Sequence, residues 1–313
     1  MATRVALLFP GQGAQSVGMG MALAERHANV AAWYRRAEEA SGLPLGRLLR
    51  EGPDEDLQKT EYLQPALLTV EIGAWLALRE SVELEIAAAA GHSLGEYAAL
   101  VAAGALEPEA AVALVRRRGL YMQEAVPLGV GAMAAVVGLD AGPVAACCAQ
   151  ASDGETRVWL SNDNSPGQVV VSGHRAAVER ATPLLTQAGA RRVIPLKVSA
   201  PFHCPLMQPA ADRLARDLAQ LAIRDPAFPV FANCRAEAYR DAADVRAGLL
   251  AQVVQPVRFR ESLQRMAEAS PRAMIEVGPG TVLTGLARRT IPDMLVYQVS
   301  TPEQIDAMKK GIA

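Results

Sequence analysis

The sequence predicts an α/β fold in two parts, a larger unit of alternating strands and helices with a smaller unit inserted into it. Three observations predict it. Short apolar runs at 5–9, 86–90, 230–232 and 273–277 alternate with long segments of helical periodicity. Between residues 131 and 196 the order changes to β-α-β-β-α-β. No Gly/Ser linker, internal repeat or low-complexity run divides the 313 residues.

Taken in order, Val5 to Phe9 is an apolar run closed by Pro10-Gly11, which reads as a buried strand ending in a turn. Helical periodicity then dominates 17–80, and 86–90 forms a second buried strand. Helices follow at 95–103 and 108–125, the second opened by Pro108 in its first turn. The 131–196 segment then supplies strand AMAAVVGL, helix AGPVAACCAQ, strands VWLSN and GQVVVSG, helix RAAVERATPLLTQAG and strand RRVIPL. That is the split pattern of a ferredoxin-like unit. Alternation returns with a helix at 205–221, a strand at 230–232, helices around Arg246 and Ser262, a strand at 273–277 and a helix at 282–289. The expected division is 1–128 and 198–313 for the large domain and 129–197 for the insert. The cleft between them is the expected place for a site.

Bulk properties exclude several classes. A formal net charge of -2 argues against wholesale nucleic-acid binding, which needs a basic face. Cys147, Cys148, Cys204 and Cys234 show no zinc spacing and no disulfide framework, so reduced thiols are expected. The first residues run straight into strand and turn with no export signal, and no apolar stretch approaches the ~20 residues of a membrane span. These features predict a cytoplasmic protein.

Gly91-His92-Ser93-Leu94-Gly95 is a G-x-S-x-G element between a predicted strand and a predicted helix, the context a nucleophile elbow requires. A serine N-cap with glycines for close packing fits the same five residues. A serine hydroxyl needs a base to attack. Of the four histidines, His203 in SAPFHCPLM follows Ser93 in the nucleophile-then-histidine order, with a structural histidine as the alternative. The loop Phe9-Pro10-Gly11-Gln12-Gly13 lacks the third glycine of a dinucleotide fingerprint and the G-K-[ST] of a P-loop. It is either a plain turn or the source of a second oxyanion donor, the Gln12 N–H beside that of Leu94. Arg116-Arg117-Arg118 late in a helix reads as a solvated face or, with one arginine turned inward, as a carboxylate clamp.

FPGQGAQ, QPALL, GHSLGEYAALVAAG, RRGLYMQEAVP, NSPGQVVVSG, APFHC and EVGPGTVLTGL occur in one order along essentially the whole chain. Together they resemble the malonyl-CoA:acyl carrier protein transacylases and the related acyltransferases of polyketide synthesis. The resemblance implies an α/β-hydrolase-like large domain with a ferredoxin-like insert. It implies Ser93 as nucleophile, His203 as base, and the N–H groups of Gln12 and Leu94 as the oxyanion hole. Arg118, next to Gly119, becomes the carboxylate-binding arginine, and Gln64 of QPALL lies near the site. A main-chain carbonyl near Gln252 orients the histidine, with no acidic third member. Phe202 before His203, combined with Leu94, resembles the malonyl-selective pattern.

The implied reaction is ping-pong through a malonyl-serine, from malonyl-CoA to the phosphopantetheine thiol of an acyl carrier protein, without metal or bound cofactor. An acidic carrier would meet a modest basic surface, with Arg191, Arg192 and Lys197 as candidates. A monomer is expected. An acyl hydrolase on the same fold and a non-catalytic carrier-docking subunit are the competing readings.

Overall fold

The computed structural model describes residues 2–198 and 200–312, so the expected domain ends at 1 and 313 lie outside the described residues. The strands are β1 (Thr3–Phe9), β2 (Leu84–Gly91), β3 (Gly131–Val137), β4 (Val158–Ser165), β5 (Gln168–His174), β6 (Arg192–Pro195), β7 (Val230–Phe231), β8 (Ala273–Val277) and β9 (Leu295–Val299). They form a five-stranded sheet in the order β7-β2-β1-β8-β9 and a four-stranded sheet in the order β4-β5-β3-β6. All pairings in the first are parallel and all in the second are antiparallel.

The parallel sheet is buried on both faces, which is why its strands read as continuous apolar runs. Alternation of side chains divides each run between two cores. Val5, Leu7 and Phe9 of β1 join Ala273, Ile275 and Val277 of β8 in one cluster. Ala6, Leu8 and Met274 join Phe259, Leu263 and Leu286 in the other. The first cluster is covered by helix Thr60–Ser81, in which Leu63, Leu67, Val70, Ala74 and Leu78 are buried. The second is covered by helices Phe259–Glu268 and Val282–Thr290. The result is a three-layer α/β/α unit.

The small sheet has a core of its own. Val136, Val144, Val169, Val171 and Leu185 pack one face against helices Ala141–Ala151 and Arg175–Gln187. Met133 and Val170, on the opposite face, belong instead to the core of the large unit. The order β4-β5-β3-β6 is that of a ferredoxin-like unit, as the sequence pattern predicts. The expected boundaries after 128 and after 197 fall in the connections that flank β3 and β6. Arg260 ties the two units together, bonding Asp140 at 3.2 Å and Asp163 at 2.8 Å.

Two differences from the sequence reading have plain causes. The helical stretch 17–80 is five helices, Met21–Arg26, Ala28–Ser41, Leu45–Glu51, Asp54–Leu57 and Thr60–Ser81. Gly42, Pro44, Gly52 and Pro53 break it, as residues that cap or cannot continue a helix do. Beyond 289 the sequence reading stops, yet β9 and helix Pro302–Ile312 complete the sheet edge and cover it. β9 is short and partly exposed, so its five residues carry little periodicity of their own. Among the described residues, no helix is long and apolar enough to cross a membrane.

Candidate active site

β2 ends at Gly91 and the next helix begins at Gly95, leaving three residues for the turn. A side chain at Gly91 would put its Cβ 1.8 Å from the Gly95 carbonyl carbon, and one at Gly95 would lie 2.1 Å from the Phe9 oxygen. Only glycine permits that approach, and the turn so closed forces Ser93 to φ 52°, a left-handed conformation that strains a serine. Asn233, just after β7, braces it. Its Oδ1 accepts from Ser93 N–H at 2.7 Å and its Nδ2 donates to Gly91 O at 2.6 Å.

His203 also sits at positive φ, 57°. Its Nδ1 lies 2.8 Å from the Gln252 main-chain oxygen. A carbonyl can only accept, so Nδ1 carries the proton and Nε2 presents its lone pair. That lone pair faces Ser93 Oγ at 2.8 Å. Burial, then the Arg118 charge, lowers His203 to about 3 against the opposing Gln252 bond. The imidazole is therefore neutral and able to accept the serine proton at ordinary pH.

The arginine run resolves into three fates. Arg116 bonds the Ser41 carbonyl and Arg117 pairs with Asp217 at 2.9 Å, both largely exposed. Arg118 is 1% exposed. Its Nη1 donates to Gln64 Oε1 at 2.7 Å, and its Nη2 donates to Gln252 Oε1 at 2.8 Å and to Ser93 Oγ at 3.2 Å. The Tyr97 ring lies beneath it at 5.3 Å. Among the described residues Arg118 forms no ion pair with a carboxylate, so a buried cation stands beside the serine with neutral partners only.

Gln12, Gln64, Leu94, Phe202 and His203 line one cavity of ≈ 250 Å³ with Ser93 and Arg118. Gln12 is exposed on the loop after β1, and Leu94 is buried at the head of the elbow helix. Neither N–H donates to a backbone carbonyl among the described residues. The small sheet closes the far side through Met133, Ala135, Asn162, Asn164 and Val170. Asn164 Oδ1 bonds His92 Nε2 at 2.8 Å. His27 and His174 are engaged elsewhere, with Glu80 and with Arg157. Arg191, Arg192 and Lys197 are exposed just before, on and just after β6, outside the cavity.

Residues 6–312 match the acyl transferase domain. The chain belongs to the acyl transferase family. This acyltransferase is 43% identical over 305 residues to the malonyl CoA-acyl carrier protein transacylase of Salmonella typhimurium, covering 97% of this chain and 98% of that one. Identity to the protein of that name from Bacillus subtilis is 42% over 304 residues, covering 97% and 96%. The malonyl CoA-acyl carrier protein transacylase of Coxiella burnetii superposes with a TM-score of 0.97 at 40% identity, covering 100% and 98%. A malonyl-transacylase solved in complex with its type II polyketide-synthase acyl-carrier protein superposes at 0.95 with 39% identity, covering 99% and 100%.

Sequence reasoning missed Asn233 and Glu96. Asn233 braces the elbow from a segment far along the chain, and a lone asparagine after a short strand carries no signal of that. Glu96 falls inside the GHSLGEY motif, which by itself gives no sign that the carboxylate is wholly buried.

Proposed function

We propose that this acyltransferase moves a malonyl group from malonyl-CoA to the phosphopantetheine thiol of an acyl carrier protein, through a malonyl ester on Ser93. One observation carries the substrate choice. A buried guanidinium with no carboxylate bonded directly to it stands 3.2 Å from the nucleophile, where a carboxylate on the acyl group can bind it. A simple acyl chain has no use for such a group.

In the first half-reaction His203 Nε2 takes the Ser93 proton as Oγ attacks the thioester carbonyl. The negative oxygen that forms is met by the N–H groups of Gln12 and Leu94. Collapse expels the coenzyme A sulfur, which takes the proton back from His203, and leaves malonyl-Ser93. In the second half-reaction His203 deprotonates the carrier thiol, the sulfur attacks the ester, and the Ser93 oxygen leaves with that proton. Arg118 holds the malonyl carboxylate throughout, and Gln64 and Gln252 hold Arg118. The residues named complete both steps without a bound cofactor or metal. All of them come from one chain, which supports a monomer, and four free thiols support a cytoplasmic setting.

Incubation with radiolabelled malonyl-CoA, followed by holo-carrier protein, tests the reading. Label should appear first on the enzyme and then on the carrier. Release to water would identify a hydrolase, and an enzyme that never gains label would be no acyltransferase of this substrate.

A further inference from the structure

Glu96, the second residue of the elbow helix, is fully buried. Its carboxylate accepts from three donors brought in by distant segments: the Tyr239 hydroxyl, the Asn233 N–H at 3.1 Å and Gln252 Nε2 at 2.7 Å. The Gln252 amide extends the chain of bonds. Its Nε2 also donates to Ser93 O at 2.8 Å, while its Oε1 accepts from Arg118 Nη2 at 2.8 Å. Reversing that amide would set its NH2 against the guanidinium, so the carboxylate decides which end faces Arg118. A buried carboxylate is thereby joined to a buried guanidinium through one amide.

A guanidinium removed from water needs an anion nearby. A direct ion pair would occupy the N–H groups a substrate carboxylate requires. An intervening glutamine takes up one N–H of Nη2, keeps the carboxylate's charge nearby, and leaves Nε without a partner.

We propose that Glu96 is the resident counter-anion of Arg118: a positioning residue that orients the guanidinium through Gln252 and competes electrostatically with the acyl carboxylate. The proposal rests on the reading of Arg118 as the carboxylate clamp. Burial pushes the Glu96 carboxyl up to about 7, against the pull of its hydrogen bonds and Arg118. The titratable groups facing it are Tyr97, Arg118, Cys234 and Tyr239. Burial moves both tyrosines and the thiol upward, and arginine stays charged. Between pH 6 and 8, then, Glu96 is the member of this cluster that changes charge.

Glu96→Gln isolates the charge, because the amide oxygen accepts from Asn233 and Gln252 while its NH2 donates to the Tyr239 oxygen. The readout is the ratio of kcat/KM for malonyl-CoA to that for acetyl-CoA at pH 8. Glu96→Gln should raise it by roughly 3- to 10-fold, the size of couplings within one hydrogen-bond network. Arg118→Ala should lower it by about 30-fold or more. Two ends of one relay thus move the ratio in opposite directions, which loss of packing would not do. In the wild type the ratio should fall from pH 6 to 8 as Glu96 ionises, and in Glu96→Gln it should stay flat. An unchanged ratio in Arg118→Ala would overturn the clamp and this proposal together. A lowered ratio there, with none gained in Glu96→Gln, would overturn the counter-anion alone. Should Glu96→Gln fail to fold, a wild-type ratio flat from pH 6 to 8 would do the same.

Discussion

β2 leads into Ser93 and β4 carries Asn162 and Asn164, and all three line the same cavity. Their sheets contribute to it in different ways. Strands of the parallel sheet all finish at one edge, so the loops after β1, β2 and β7 deliver Gln12, Ser93 and Asn233 to one place. Neighbours in the antiparallel sheet run in opposite directions and share no such edge. That sheet offers a face instead: Met133 and Ala135 of β3 beside Val170 of β5, while Val136 and Val171 point away into its own core. An edge collects backbone N–H groups and strained turns, which are what a nucleophile needs. A face collects side chains at fixed spacing, which are what a wall needs.

The comparison breaks most decisively at Ser93. Ser93→Ala should abolish the acyl-enzyme, since no second hydroxyl is held by the elbow. Mass spectrometry after exposure to malonyl-CoA should show no added malonyl mass, and an adduct persisting in the variant would move the nucleophile elsewhere.

Phe202 lies where the chain returns from the small unit to the large one, 8% exposed and lining the cavity beside His203. If its ring excludes an α-methyl, the discrimination is worth about 1 to 3 kcal/mol, or roughly 10- to 200-fold. Phe202→Ser should raise methylmalonyl transfer relative to malonyl while leaving acylation of Ser93 intact. An unchanged ratio in a competition assay would remove the steric account.

Acid sets the catalytic edge against the rest of the fold. His203 is held near 3 in the folded protein and rises toward 6.5 when unfolded, so below 6.5 the unfolded chain binds a proton that the folded one refuses. This contribution is complete above 6.5 and is lost as pH falls toward 3, by ~2 kcal/mol at pH 5. Glu96 acts oppositely: raised to about 7, it keeps a proton the unfolded chain has lost, so its share of stability grows as pH falls through 7. Comparing wild type with His203→Ala by thermal unfolding at pH 7 and pH 5 separates the two. The wild type should lose more stability, and equal losses would mean the imidazole is solvated.

The smallest effect belongs to the wall. Asn164→Ala strands the His92 N–H behind the elbow, a loss of about 1 to 2 kcal/mol in stability. Acylation should persist in this variant within about tenfold. A loss matching that of Ser93→Ala would show that the antiparallel sheet does more than close the cavity.

Much of this was legible along the chain. Alternating apolar runs and the β-α-β-β-α-β order specify both units, because side-chain period is a local property. Glycines at 91 and 95 around Ser93 announce a tight turn between strand and helix, and motif order points to His203, Arg118, Gln64 and Gln252. Element ends were less legible. β9 carries weak periodicity and forms because β8 offers it a partner, while the final helix does show an apolar stripe of Ile305, Met308 and Ile312.

Sequence by itself determined the order of strands and helices and the residue types at the elbow, since both follow from spacing and backbone freedom. Motif resemblance singles out Arg118 among three arginines, but only the tertiary structure supplies the reason it turns inward: Arg116 and Arg117 find partners at the surface and Arg118 meets Gln64 and Gln252 in the interior. Tertiary structure alone decided that Asn233 braces Ser93 and that Glu96 is a buried anion, with donors from Asn233, Tyr239 and Gln252. The physical reason is the same in each case: a charge or hydrogen bond is fixed by groups distant in sequence, and no local pattern records which groups folding will bring together.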